Sequence, residues 1–418
     1  METRAGRLAV LAYHSSPLSE PGSGDSGGMS VYVRETAARL AGLSVQTDIF
    51  TRAATDLPWV VELTPGVRVV GIKAGPGRPI PKEQLPAHLD EFSAGVRIFS
   101  MGQHVAYDVV HSHYWQSGVA AEKLANIWDV PLVHSNHTLG ALKNRFLAPE
   151  DEPEPAGRIE AERRVMNRAD VLIASTDQEY EQLACLYGAG HDRLKTIHPG
   201  VDHDLFSPGD TSTARRLLGL PKDRPSLVVV GRIQPLKGLG LAIEAVDHLR
   251  HALDRPPLLS IIGGASGRTG DDELRRLHRL VADRGVADLV RFVGPVPHAD
   301  LPSYYRAADL TLVCSHYESF GLTALESQAC GTPIIGTAVG ALSFVVRDGR
   351  SGFLIPSRDP SDLAARAKTL LSDPDLARTF GVGSVASAER FSWDRTAGAL
   401  SELYDCLMSE RLPEACTC

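Results

Sequence analysis

The sequence contains no apolar run that approaches membrane-spanning length, which argues against a transmembrane segment. Its six cysteines (Cys185, Cys314, Cys330, Cys406, Cys416 and Cys418) are scattered, with no CxxC pair and no zinc spacing. That excludes a secreted disulfide framework and predicts reduced thiols. The terminal Cys416-Thr417-Cys418 reads as a frayed tail rather than a metal clip. The chain passes from Met1 almost directly into a strand, leaving no room for a signal peptide, so the expected location is cytoplasmic. Positive charge is not in excess either: a formal net charge of −8 argues against a nucleic-acid or acidic-lipid surface. There is no short internal repeat, no low-complexity tract and no GK[ST] of a P-loop.

What is present is alternation. With 418 residues the chain has material for two or three domains. Strands are predicted at Arg7–Tyr13, Thr47–Thr51, Val67–Ile72, Val109–Ser112, Pro131–His134 and Val171–Ala174, with helices between them. The stretch Ile197–Gly209, rich in Pro, Gly and Asp, reads as an inter-domain hinge. Strands then restart at Leu227 and recur at Leu258–Ile262, Val290–Val293, Leu310–Cys314 and Pro333–Gly336. Such spacing predicts an α/β fold with parallel sheets covered on both faces. The expected domains are 1–204 and 205–390, with a final helix in 391–418 long enough to reach back across the hinge.

Several strands end in polar clusters. After the first comes a turn-rich loop with Gly27-Gly28, then a helix over Met29–Leu43, a geometry suited to close backbone approach by a ligand. The fourth ends in His111-Ser112-His113-Tyr114-Trp115 and the fifth in His134-Ser135-Asn136-His137-Thr138. The acidic, proline-rich stretch Pro149–Pro155 reads as a mobile loop, followed by a charged helix beginning near Arg158.

Two clusters in the second half carry the chemistry. The β-branched run ending Gly231-Arg232 is followed five residues later by Lys237, two cations at a strand's carboxyl end that suit a diphosphate clamp. In His316–Pro333, Glu318 lies in the loop after a buried strand and Glu326 on the helix that follows. Carboxylates there suit sugar or ribose hydroxyls beside a phosphate that the cations hold.

GRIQPLKG together with ESFGLTALESQACGTP resembles the retaining glycosyltransferases of family 4. HSSPLSEPGSGDSGGMSVYV, HSHYWQSG and HTLGALKN extend the likeness over nearly the whole chain to the D-inositol-3-phosphate glycosyltransferase branch of mycothiol biosynthesis. The resemblance implies the GT-B fold, two Rossmann-like domains with a cleft between them, and retaining transfer of a sugar from a nucleotide-diphosphate donor (UDP or GDP). It implies catalytic roles for His137, Arg232, Lys237 and Glu318. The donor site it implies comprises Gly27, Gly28, Arg232, Lys237, Glu318, Ser319, Phe320, Gly321, Leu322 and Glu326. For a small anionic acceptor it implies His14, Glu20, Asp25, Met29, Ser30, Lys82, Tyr114, Thr138 and Arg158. The donor base is expected near Pro295 to Ala299. No cofactor is demanded, although Mg2+ is compatible; neither nucleic acid nor membrane insertion is expected, and the sequence does not fix the oligomeric state, a homodimer being compatible with it.

Three positions depart from the pattern. Ser30 stands for the Asn that closes GGMN, Glu20 for a Gln, and Gly340-Ala341 for the Gly-Gly of AVGGLP. Ser30 and Glu20 are expected where the two sugars meet. They keep open an antibiotic-pathway transferase that places an unusual UDP- or GDP-activated sugar on a small thiol. A nucleotide-sugar epimerase and a non-catalytic nucleotide-sugar-binding subunit are the other readings.

Overall fold

The computed structural model describes residues 6–22, 24, 26–55, 57–149, 151–267 and 269–410. Two sheets form. The upstream sheet contains β1 (Arg7–Leu11), β2 (Gln46–Ala53), β3 (Trp59–Thr64), β4 (Val67–Lys73), β5 (Val109–His113), β6 (Leu132–Ser135), β7 (Val171–Ala174) and β8 (Leu194–Thr196). The downstream sheet contains β9 (Ser226–Val230), β10 (Leu258–Ile262), β11 (Val290–Gly294), β12 (Leu310–Val313), β13 (Ile334–Thr337) and β14 (Gly352–Ile355). Their orders are β3-β4-β2-β1-β5-β6-β7-β8 and β11-β10-β9-β12-β13-β14. All pairings are parallel except the edge pair β3–β4.

Burial on both faces explains the unbroken apolar strands. Side chains of a strand alternate between faces, so Leu8 and Val10 enter one core while Ala9 and Leu11 enter the opposite one. In the downstream sheet Leu227 and Val229 face one core and Val228 the other. Helices therefore cover both sides of each sheet, the two-layered wrapping that parallel pairing requires.

In each sheet the strand order reverses direction beside a first strand. β1 lies between β2 and β5, and β9 between β10 and β12. A crevice opens at the carboxyl ends of strands at such reversals, because the flanking connections leave to opposite faces. The two crevices face each other.

Beyond the downstream sheet the helix Trp393–Glu410 returns to the upstream half. Its Ala397, Leu400 and Tyr404 join the core of Leu8 and Val10, and the Tyr404 hydroxyl is 2.7 Å from His111 Nδ1. Three strands were not anticipated. β3 is an exposed antiparallel edge whose Val60 and Val61 lack an alternating pattern, while β8 and β14 have only three and four residues. The expected mobile loop is pinned at its end: Glu154 N donates to Asn144 Oδ1 at 2.6 Å and Asn144 Nδ2 returns a bond to Glu154 O at 3.1 Å.

Candidate active site

One cavity of about 290 Å³ lies between the two crevices, at the small end of the range for ligand sites. Its walls come from the carboxyl ends of both sheets. His14 follows β1, Tyr114 follows β5 and His137 follows β6; Arg232 and Lys237 follow β9, and Glu318 follows β12. The helices Gly28–Gly42 and Leu322–Ala329 begin at this wall without a side-chain cap, leaving first-turn N–H groups for an anion. Glycine at the first of these ends allows the two halves to meet. A Cβ on Gly27 would stand 3.4 Å from Arg232 Nε, and one on Gly28 would stand 3.1 Å from the Leu322 side chain.

The downstream wall is charged but internally balanced. Lys237 Nζ donates to Glu318 Oε2 at 2.8 Å, and Ser315 Oγ donates to the same oxygen at 3.0 Å. The Glu318 loop is held from behind by Gly340 and Ala341. Ala341 N donates to Glu318 O at 2.9 Å, and Gly340, at φ +51°, passes so close that a Cβ would sit 2.1 Å from that oxygen. Position 340 therefore requires glycine. Position 341, at φ −72°, accepts its alanine without strain.

Glu326 is almost fully buried and already partnered. His298 Nε2 lies 2.7 Å from its Oε1, and the Tyr305 hydroxyl donates to Oε2 at 3.1 Å. Burial works against charging His298, but the Glu326 carboxylate and its hydrogen bond outweigh it and raise the imidazole above its ordinary value. His298 also contacts the upstream half: its N–H lies 3.4 Å from Glu20 Oε2 and its Nδ1 3.3 Å from Arg34.

The upstream wall is built around Tyr114. Arg158 stands 5.0 Å and Lys82 6.0 Å from its ring centroid, within cation–π range. The His14 ring is 4.4 Å away on a tilted contact. Arg158 donates to Thr138 Oγ1 at 3.0 Å and to Glu162 Oε1 at 2.7 Å, and pairs with Glu154 Oε1 at 2.8 Å. Tyr114 at φ +73° and His137 at φ +59° hold left-handed backbones that non-glycine residues rarely adopt. Both face the cavity, where such strain aims a side chain.

The histidines divide by role. His111, His113 and His134 are buried within the sheet and bonded to neighbours, including Ser135 and Ser112. His137 lines the cavity with its Nε2 2.9 Å from His113 Nδ1. Burial pushes His137 down to about 3 and His134 down to about 4. His14 is lowered well below the usual range, first by burial and then by Lys82 and Arg232. Neutral imidazoles therefore face the cavity, able to exchange hydrogen bonds with hydroxyls but not to serve as a standing cation. His14 Nδ1 has no partner among the described residues.

Of the residues singled out from the sequence, His14, Gly27, Gly28, Met29, Lys82, Tyr114, His137, Thr138 and Arg158 line the cavity on one side. Arg232, Lys237, Glu318, Ser319, Phe320, Gly321, Leu322 and Glu326 line it on the other. Asp25 lies outside the described residues. Ser30 and Glu20 do not line it. Ser30 is fully buried, its hydroxyl 2.7 Å from Ser15 Oγ and 3.1 Å from Ser26 Oγ. Glu20 is turned toward His298 N instead.

Sequence reasoning passed over Lys143, Tyr317 and His298 as wall residues, and Tyr305 behind Glu326. His298 lies within the segment expected near the base, but nothing in its spacing reveals a Glu326 partner. Among the described residues no group of three or more His, Cys, Asp or Glu side chains is arranged to hold a metal ion, and no helix is long and apolar enough to cross a membrane.

Comparison with known proteins agrees with this geometry. Residues 27–200 match the glycosyl transferase 4-like domain and residues 210–383 the glycosyl transferases group 1 family. The D-inositol 3-phosphate glycosyltransferase 2 of Catenulispora acidiphila is 47% identical over 97% of this chain and 96% of its own length. The D-inositol 3-phosphate glycosyltransferase of Streptomyces bingchenggensis is 45% identical over 96% and 89%. Among solved structures, the sucrose-phosphate synthase of Thermosynechococcus elongatus superposes with a TM-score of 0.89 at 31% identity, covering 97% of this chain and all of that one (100%). Anabaena HepE, solved in complex with UDP-glucose, shares the fold at a TM-score of 0.75 and 20% identity, with 97% and 100% covered.

The raised His298 gives a pH test. A raised folded value contributes stability that is full below the ordinary 6.5 and is lost as pH rises through the folded value. The melting midpoint of the parent chain should therefore exceed that of His298→Gln most below pH 6.5, with the gap narrowing above it. Parallel profiles from acid to alkaline pH would contradict the pairing.

Proposed function

This chain belongs to the family-4 retaining GT-B glycosyltransferases, on the branch of the D-inositol 3-phosphate glycosyltransferases, and from that premise we propose which residues do the work and what acceptor they take. In this reading residues 1–204 hold a small anionic acceptor, 205–390 hold the nucleoside-diphosphate sugar, and 391–418 tie the second half back to the first. The observation that carries it is one cavity with cations at both ends, Arg232 and Lys237 on one side, Lys82 and Arg158 on the other. The relatives at 47% and 31% identity are a D-inositol 3-phosphate glycosyltransferase and a sucrose-phosphate synthase, and both names contain a phosphate-bearing sugar or polyol. That supports an anionic acceptor.

Arg232 and Lys237 neutralise the diphosphate as the bond from its oxygen to the anomeric carbon breaks, aided by the uncapped start of Leu322–Ala329. The acceptor hydroxyl attacks the same face of the oxocarbenium-like centre, and its proton passes to the departing phosphate oxygen. Retention then needs no covalent carboxylate. Glu318 takes the transferred sugar's hydroxyls with the oxygen that Lys237 and Ser315 leave over. Glu326, oriented by His298 and Tyr305, takes the ribose hydroxyls. Neutral His137, held by His113, bonds near the anomeric centre. UDP is the donor nucleotide favoured here, since HepE, a fold relative, is solved with UDP-glucose.

The antibiotic-pathway reading rested on Ser30 and Glu20, and neither side chain reaches the cavity wall. The acceptor cations Lys82 and Arg158 count against an epimerase, which needs no acceptor.

Lys237→Ala should cut turnover by about 10²–10³-fold or more, the scale of losing one preorganised transition-state charge, with circular dichroism and melting unchanged. Unaltered activity would contradict the clamp. Arg158→Lys keeps the charge but loses the fork, so the acceptor KM should rise about tenfold while the donor KM holds. An unchanged acceptor KM would contradict the anionic-acceptor assignment.

A further inference from the structure

The carboxylate assigned to the ribose is tied to the opposite half of the molecule through one imidazole. His298 Nε2 lies 2.7 Å from Glu326 Oε1, and on the other side of the ring Nδ1 lies 3.3 Å from Arg34 Nη2. Arg34 belongs to the upstream helix Gly28–Gly42, whereas His298 and Glu326 belong to the downstream half. The ring has little freedom between them: it is buried, and Phe206 meets it edge-on with centroids 5.2 Å apart. Arg34 is held as well. Its Nε donates to Glu35 Oε1 at 3.3 Å, and Glu35 in turn accepts from Arg39 at 2.8 Å.

The chemistry of these two contacts fixes where the imidazole proton sits. A guanidinium only donates, so the Nδ1 that faces Arg34 has to be the bare, accepting nitrogen. The ring proton is then on Nε2, aimed at Glu326. The other tautomer would set an N–H against Arg34 and a lone pair against the carboxylate. Burial and the charge of Arg34 both oppose a second proton on the ring, against the pull of Glu326 and Glu35. With the Tyr305 hydroxyl on Oε2 at 3.1 Å, each oxygen of Glu326 carries one fixed donor and keeps a lone pair for a ligand hydroxyl.

We propose that Arg34 is a positioning residue for the nucleotide: from the upstream half it selects the tautomer of His298, and through that ring it aims Glu326 at the ribose hydroxyls. This inference rests on the ribose role given to Glu326 above and adds to it a residue from the half that holds the acceptor. Without the contact across the cleft the two neutral tautomers of His298 compete, and only one of them points a donor at Glu326. Ribose binding and the meeting of the two halves at this corner therefore draw on one hydrogen-bonded chain, Arg34 to His298 to Glu326.

The test is calorimetric titration of the 418-residue chain with UDP and with 2′,3′-dideoxy-UDP, which lacks the hydroxyls that Glu326 receives. Both are titrated into the parent, Arg34→Ala, His298→Leu and the double variant at about pH 8.5, above the ordinary imidazole value of about 6.5. The parent should prefer UDP by about tenfold to a hundredfold, the scale of hydrogen bonds to a charged group. Arg34→Ala should lower that preference about three- to tenfold, by weakening UDP while leaving the dideoxy compound as it was. Adding Arg34→Ala to His298→Leu should lower it no further, because the chain is already cut. If Arg34→Ala weakens both nucleotides alike, or neither, Arg34 does not act on the ribose; the positioning role is overturned and the ribose reading of Glu326 stands. A further loss of preference in the double variant means that Arg34 acts by a route other than His298, which also overturns it. If the parent itself binds the two nucleotides alike, or binds neither, the ribose reading fails and takes this inference with it.

Discussion

The site depends on cations held ready at the cavity wall before any anion arrives. Unpaired, such groups repel one another and lose hydration, so a closed cleft cannot simply collect them. Three of them are balanced by carboxylates: Lys237 by Glu318, and Arg158 and Lys143 by Glu162 and Glu154. The carboxylates do not all have one purpose. Glu318 is exposed to the cavity, where an incoming diphosphate can share its lysine, whereas Glu162 is buried among permanent donors. A charge shared this way is preorganised without being neutralised beyond use.

The sheets supply that arrangement cheaply. Parallel pairing with a reversal beside β1 and β9 gathers five chemically active loops from distant parts of the chain. The glycines at 27 and 28 then let Arg232 and Leu322 come against the start of the opposing helix. Among the non-glycine residues of the cavity wall, Tyr114 and His137 hold left-handed backbones, just after strands β5 and β6 that are paired on both sides. The neutral state of His14 and His137 follows first from burial, which opposes an added proton on both, and at His14 the nearby cations Lys82 and Arg232 add to it.

Much of this was legible beforehand. Continuous β-branched runs identified the doubly covered strands, and Gly321 and Gly331 bracketed the helix that carries Glu326. Arg232, Lys237 and Glu318 stood out because two cations and an acid recur at strand carboxyl ends. What was not legible depends on contacts far apart in sequence. Tyr305 and His298 reach Glu326 from another element, and no local spacing marks them. Ser30 was misread for the opposite reason: it directly follows two cavity-lining residues, but the helical turn rotates its hydroxyl toward Ser15 and Ser26. The acidic loop looked mobile by composition, and only the fold brings Asn144 and Lys143 beneath it.

The most direct measurement of the central claim is a crystal structure of the chain with a nucleoside diphosphate bound. The account predicts diphosphate oxygens within hydrogen-bonding distance of both the Arg232 guanidinium and the Lys237 ammonium, at the start of Leu322–Ala329. A nucleotide seated elsewhere, with those two side chains turned to solvent, would contradict it.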